Sequence, residues 1–269
     1  VGPAAAAVDP YLYVDKQSDV CSDNGLGAST RPFCTLTKAA GTAKAGQTVL
    51  VSGGTYLEQL TTKYAGTAGA PLVFAAQPGQ TVTITGGQYG VYVGYKSYVT
   101  IRSFNVTGTT DIGIYIKASD HITVDGNHVS YAGSPSDGAT ARGISMTSTA
   151  DSVISANLVD HNSDSGIYLG SASTRDLVLR NRTTANARGY TRAAPGIDIR
   201  SVGNAVIANT SWSNEDSGVQ IRTGGDNSLV ADNVLWNNGD HGIDVLQPPG
   251  CQIIGNSVLH NATTCNHDQ

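Results

Sequence analysis

Three segments of this chain place a carboxylate or amide side chain two residues after a glycine, and in two of them an arginine follows two residues later. They are Gly196-Ile197-Asp198-Ile199-Arg200, Gly218-Val219-Gln220-Ile221-Arg222 and Gly242-Ile243-Asp244-Val245-Leu246. In an extended strand those two positions share one face, opposite the apolar residues between them. If the segments lie side by side, guanidinium groups, carboxylates and an amide converge within about 10 Å, two strand spacings. A second column, two residues ahead of each glycine, carries Asp111, Asp164, Asp216 and Asp240, with Glu215 and His241 adjacent. Such a set can grip an anion through an arginine fork, collect oxygens round a divalent cation, or move a proton.

The structural alternative is mutual compensation. Turn aspartates accept backbone N–H bonds, and an arginine can lean on a neighbouring carboxylate. Like charges stacked one strand apart repel, so Asp216 over Asp240 and Arg200 over Arg222 each need a partner. Elsewhere this face is filled with Tyr, Ser and Thr, so the gathering of acids and arginines is read as a site.

The elements that must align these residues repeat along the chain. Glycines 90, 113, 143, 166, 196, 218 and 242 mark one strand of each repeat, and Asn105, Asn127, Asn157, Asn181, Asn209, Asn233 and Asn256 mark another. A further amide column runs through Asn162, Asn186, Asn214, Asn238 and Asn261. Short β-branched runs such as Ile122-Thr123-Val124 and Val206-Ile207 complete each repeat. A restart every twenty to thirty residues, with strands too short for helices, predicts an all-β, single-stranded parallel β-helix of three-strand coils. Stacked amides about 4.8 Å apart bond to one another, so both asparagine columns are expected to be buried ladders. The glycosylation patterns starting at Asn105, Asn181, Asn209 and Asn261 are therefore expected to be poor acceptors.

Composition agrees: 14% charged residues, 32 glycines among 269 residues and one methionine. The repeat runs without a linker, so residues 1–269 read as one domain, with an N-terminal segment and cap over 1–60 and coils over 61–269. A short helix through Leu36–Ala40 is expected to close the first end. Val1–Ala7 has no basic n-region and reads as the start of a mature chain. No amphipathic closing segment is evident after the last coil, so a C-terminal cap is expected to be disulfide-made or to lie beyond this sequence. Two local cysteine pairs, Cys21 with Cys34 and Cys251 with Cys265, are expected to be staples near the ends, which places the protein in an oxidising, secreted setting. The net charge of −5 and the lack of a basic stripe argue against nucleic acid, and no segment approaches membrane-spanning length. A monomer is expected.

The cap segment around Ser29-Thr30-Arg31-Pro32-Phe33 and Gly53-Gly54-Thr55-Tyr56, followed by asparagine-marked coils, resembles the secreted right-handed parallel β-helix proteins of the pectate-lyase-like superfamily. Gly196–Arg200 followed by Asn214–Gln220 is similar in layout to the acidic calcium site of family 9 pectate lyases, with Pro195 and Gln220 standing where acids are expected. Neither the full polygalacturonase signature set nor the Asp-Pro-His of alginate epimerases is present. The resemblance implies a polysaccharide lyase that cleaves an acidic, uronate-containing glycan by β-elimination. On that reading Arg200, Arg222 and Asp198 are catalytic, with Lys117 as a distant reserve base. Arg192, Tyr190, Gln220, Lys117, Tyr168 and His241 bind substrate, and Asp198, Asp216, Asp240 and Asp244 hold Ca²⁺. Tyr190 and Arg192 lie on one of two long loops, 131–141 and 187–195, expected to wall the groove. Inverting hydrolysis by a pair among Asp198, Asp216 and Asp244, epimerisation, or carbohydrate binding alone on Tyr92, Tyr115 and Tyr168 remain the alternative readings.

Overall fold

The structure is a computed structural model that describes residues 9–133, 140–187, 189 and 193–263. Its strands form three parallel sheets that wind as one solenoid, so the all-β coil architecture expected from the repeats is the architecture found. The first sheet has ten strands, from Tyr11–Val14 to Gln252–Ile254; the second has eight, from Leu60–Thr61 to Ile243–Val245; the third has nine, from Gly54–Tyr56 to Ser257–Leu259. Each coil passes from the first sheet to the third and then to the second. Most strands are only three or four residues long, and their inward residues, such as Ile144, Ile167, Ile197 and Val219, are fully buried. Burial of each such side chain stabilises by roughly 1.5–3 kcal/mol, which is where a solenoid without a globular core finds its stability.

The amide ladders lie at the two corners flanking the third sheet. Asn127, Asn157, Asn181, Asn209, Asn233 and Asn256 form the first, each Nδ2 donating to the Oδ1 of the next at 2.9–3.0 Å. The backbone N–H of each donates to the same oxygen. The second ladder runs Asn162, Asn186, Asn214, Asn238 and Asn261 with the same pattern. Ala156, Arg180, Ala208 and Asp232, each immediately before a ladder asparagine, have left-handed φ of 53–56°. That sharp corner aims the following amide down the stack.

One member of the expected ladder is displaced. Asn105 is a strand residue paired in register with His128, and the ladder position in its coil is Phe104, whose N–H donates to Asn127 Oδ1. The left-handed residue there is Ser103, so the corner ends one residue earlier than the asparagine count implies. A slip of one residue reverses the face a side chain occupies, and Asn105 is accordingly half-buried on the strand's outer side, whereas Asn181 and Asn209 are sealed as expected.

The second ladder also explains the glycine column. A Cβ on Gly166 would stand 2.7 Å from Asn186 Nδ2, and one on Gly196 would stand 2.6 Å from Asn214 Nδ2. Only glycine lets the strand entering the second sheet pass that close to the stacked amides.

The amino-terminal end is closed by a helix over Leu36–Thr42 that buries Leu36, Ala39 and Ala40; Thr35 caps it, its Oγ accepting from Lys38 N–H. Cys21 and Cys34 are bridged, with Cα atoms 5.1 Å apart. The expected partner of Cys251, Cys265, lies outside the described residues, as do Val1–Ala7. No helix among the described residues is long and apolar enough to cross a membrane.

Candidate active site

The glycine register brings the expected column together. Cα pairing runs Tyr92, Tyr115, Ser145, Tyr168, Asp198, Gln220 and Asp244 along consecutive strands of the second sheet. The column was expected to face solvent, and here the structure differs: Asp198 is 0% exposed, Gln220 3% and Ser145 1%. The side chains four residues past the glycine fold back over those two past it. Arg200 Nε donates to both oxygens of Asp198 at 3.2 and 3.0 Å, and its Nη2 lies 2.9 Å from Oδ2. In the next coil Arg222 repeats the gesture, Nε donating to Gln220 Oε1, while Nη2 donates to the carbonyl of Ala193 at 2.7 Å.

The two arginines are thus differently placed. Burial raises the Asp198 carboxyl above its usual range, partly offset by Arg200, Arg222 and Arg142. Burial works against the charged form of Arg200, but Asp198 outweighs it and raises that guanidinium's pKa further. Arg200 is therefore held charged by its own carboxylate. Arg222 hydrogen-bonds a neutral amide and a carbonyl, so its positive charge is not cancelled by a bonded acid.

Gln220 links this pair to the acids. Its Nε2 donates to Asp244 Oδ2 at 2.8 Å and reaches Asp216 Oδ2 at 3.5 Å. Burial raises the Asp216 carboxyl, Ser217 Oγ–H donating to it at 2.9 Å lowers it, and Asp240 and Asp244 push it up again. Asp240 sits beside His241, with Oδ2 3.1 Å from Nδ1 but without hydrogen-bond alignment. The side chains expected to hold calcium are engaged with protein partners in this arrangement. Asp198 is spent on Arg200, an amide N–H stands between Asp216 and Asp244 where a bridging cation would have to sit, and no group of three His, Cys, Asp or Glu side chains converges among the described residues.

The remaining candidates are spread out. Lys117 is exposed and pairs in register with Gly94 and Thr147, three coils from Arg200 and about 14 Å along the axis. Tyr92 and Tyr115 pack with Tyr89 into an aromatic cluster with ring centres 5.2–5.7 Å apart. Tyr168 has its face occupied by Arg142, whose Cζ lies 3.6 Å from the ring centre. Arg142 was not among the sequence candidates. The signal was its place, directly after the 131–141 loop and before a register glycine. Tyr190 and Arg192 lie outside the described residues, as does Arg188, but the end of their loop reaches the site: Ala193 O receives Arg222, and Ala194 N–H donates to Glu215 Oε2 at 3.0 Å.

The solved pectate lyase Pel9A superposes with a TM-score of 0.68 at 17% identity, covering 96% of this chain and 78% of that one. An alginate lyase from Paenibacillus sp. str. FPU-7 gives 0.65 at 14% identity, covering 94% and 96%. XylC in complex with xylose gives 0.68 at 13%, covering 91% and 69%. At such identities these likenesses speak for the fold. The uncharacterized protein YwoF of Bacillus subtilis (strain 168) is 32% identical over 149 residues, 49% of this chain, which spans only 31% of that relative's length. The family described as "Pel9A-like, right handed beta helix region" matches residues 12–268. The chain belongs to this Pel9A-like family of right-handed β-helices.

Proposed function

We propose that the protein is a secreted polysaccharide lyase that cleaves an acidic, uronate-containing glycan by β-elimination. The observation that carries this reading is Arg222, a half-buried guanidinium whose bonded acceptors among the described residues are neutral, one coil from the sealed Asp198–Arg200 pair. Arg222 grips the uronate carboxylate and acidifies the neighbouring C5 proton. The Asp198–Arg200 pair takes that proton by relay: the Arg200 Nε–H proton passes to Asp198, whose proton affinity burial has raised, and Arg200 nitrogen accepts the C5 proton in its place, leaving Asp198 protonated and Arg200 again a guanidinium. The C5–H electron pair becomes the C4–C5 double bond, the C4–O bond breaks, and the departing sugar oxygen is protonated by solvent. Secretion agrees with the Cys21–Cys34 bridge.

A hydrolytic reading has one observation in its favour. Asp216 is held above the usual carboxylate range by burial and by Asp240 and Asp244, the environment of a general acid. One assay separates the two: incubation with pectate and alginate, with calcium or with chelator, following ultraviolet absorbance and reducing ends. Absorbance from unsaturated ends is the expected result, and its loss in chelator assigns calcium a part in the reaction. Reducing ends without absorbance identify a hydrolase, and binding without turnover identifies a carbohydrate-binding protein.

A further inference from the structure

The third arginine of this face differs from the other two in having no hydrogen-bonded acceptor among the described residues. Arg142 lies flat on Tyr168 at 3.6 Å, is about a quarter exposed, and its buried Nε makes no hydrogen bond; the nearest acid oxygen, Asp164 Oδ2, is 3.7 Å away. Arg175, at the corner before strand Leu177–Leu179, shows what a structural arginine does here, spending Nε and Nη2 on Asp151 at 2.7 and 2.6 Å. In the same coil, Ser145 Oγ is also buried and without a partner, in the column between Tyr115 and Tyr168. Buried donors left unpaired destabilise the free protein, and two of them three residues apart mark a place completed by something that accepts hydrogen bonds. A planar guanidinium fixed on an aromatic face offers its fork to a carboxylate.

We propose that Arg142, with Ser145 in support, forms a second carboxylate-binding subsite two coils toward the amino-terminal end from Asp198 and Arg200. It sets specificity for acidic over neutral sugars at that distance along the chain of the glycan, and it rests on the uronate reading above. Because the subsite is remote from Arg222, only oligomers long enough to span both reach it.

The test is calorimetric binding of oligogalacturonates and oligoalginates of one to six residues, with carboxyl-reduced oligomers as the neutral control, to the wild type, Arg142→Gln, Arg142→Lys and Ser145→Ala. Arg142→Gln is expected to leave the shortest acidic oligomers unaffected and to weaken the longest about tenfold. Arg142→Lys recovers part of that loss, since it keeps the charge without the fork. Ser145→Ala, which removes one oxygen and guards against a folding artefact in the arginine variants, weakens the long oligomers several-fold without lowering the melting temperature. Equal affinity of wild type and Arg142→Gln at every length overturns the subsite, as does an equal loss at every length, which is the mark of a packing role. Failure of the wild type to bind any acidic oligomer overturns the uronate reading itself, and the subsite with it.

Discussion

The first amide ladder and the charged column of the second sheet are both stacks of polar side chains, repeated at the same strand spacing and both largely hidden from solvent, yet they solve burial in opposite ways. An asparagine carries a donor and an acceptor, so identical residues satisfy each other from coil to coil, as Asn157, Asn181, Asn209 and Asn233 do. Charged groups of one sign cannot stack in that manner. Asp198 and Arg200 therefore pair within one strand, Arg222 turns to Gln220, and the column keeps distinct environments from coil to coil. Uniform stacks build the scaffold. Broken symmetry leaves groups such as Arg222 and Arg142 with capacity for something else.

Asp176 tests the boundary between the two regimes. It occupies a third corner, between the second and first sheets, accepting from Ser152 N–H at 2.9 Å and Thr149 Oγ–H at 2.6 Å, while its own N–H donates to Asn204 Oδ1. It is an acid stacked between a serine and an amide, Ser152 and Asn204. Burial pushes its pKa up to about 6, with the Thr149 and Ser152 bonds opposing the shift.

The contrast can be broken at either end, and the largest effect is expected in the charged stack. Arg222→Ala should lower activity on uronate polymer by about 10²–10³-fold, as removal of a group that stabilises developing charge does, with the circular dichroism spectrum and melting temperature little changed. Arg200→Ala is the less clean experiment, because it strands a sealed carboxylate and costs stability as well. Turnover by Arg222→Ala equal to wild type would move the site elsewhere.

In the ladder the outcome should be reversed. Asn209→Ala removes donors to Asn233, Val178 and Ile207 and the acceptor used by Asn181, and is expected to cost about 3 kcal/mol in denaturant unfolding while the folded fraction keeps its specific activity. A stable variant with lost activity would contradict the division of labour.

Asp176→Asn should sharpen the comparison by stacking a second amide on Asn204 in place of the acid. A carboxylate whose folded pKa lies above its unfolded value of 3.8 destabilises the fold as pH rises through that window, and the loss is complete above about 6. The variant is therefore expected to be more stable than wild type above pH 6 by about 1–3 kcal/mol and indistinguishable below pH 4. Unfolding curves at pH 4 and pH 8 decide it; an equal difference at both would show that titration is not the cause.

The smallest effect belongs to the outer face of the third sheet, where Trp212 and Trp236 stack with ring centres 5.1 Å apart and planes within 5°. Trp236→Leu should cost about 1 kcal/mol in stability and leave glycan cleavage unchanged, since this pair packs on itself as its equivalent positions in neighbouring coils suggest.

How much of this could be read from the residues varies from one feature to the next. The glycine register was legible because a repeated close approach of backbone to stacked amides admits one residue type, and it aligned Asp198, Gln220 and Asp244 correctly. Asn105 misled because an asparagine in a strand and an asparagine at a corner look alike until the left-handed residue before it is located. Arg142 was hidden for a related reason. Its column holds Tyr89, Ile112, Ser165, Pro195, Ser217 and His241 in other coils, so the column did not single it out and only its place after the 131–141 loop marked it.

By itself the sequence determined the solenoid, its three faces, the buried amide columns and which residues share a strand position, because periodic backbone hydrogen bonding converts spacing directly into register. Only the tertiary structure decided which outward side chains are covered, which charges cancel and which donors are left without an acceptor. Those outcomes depend on the rotamers that long side chains adopt against neighbours one and two coils away, and nothing in the local order of residues specifies them.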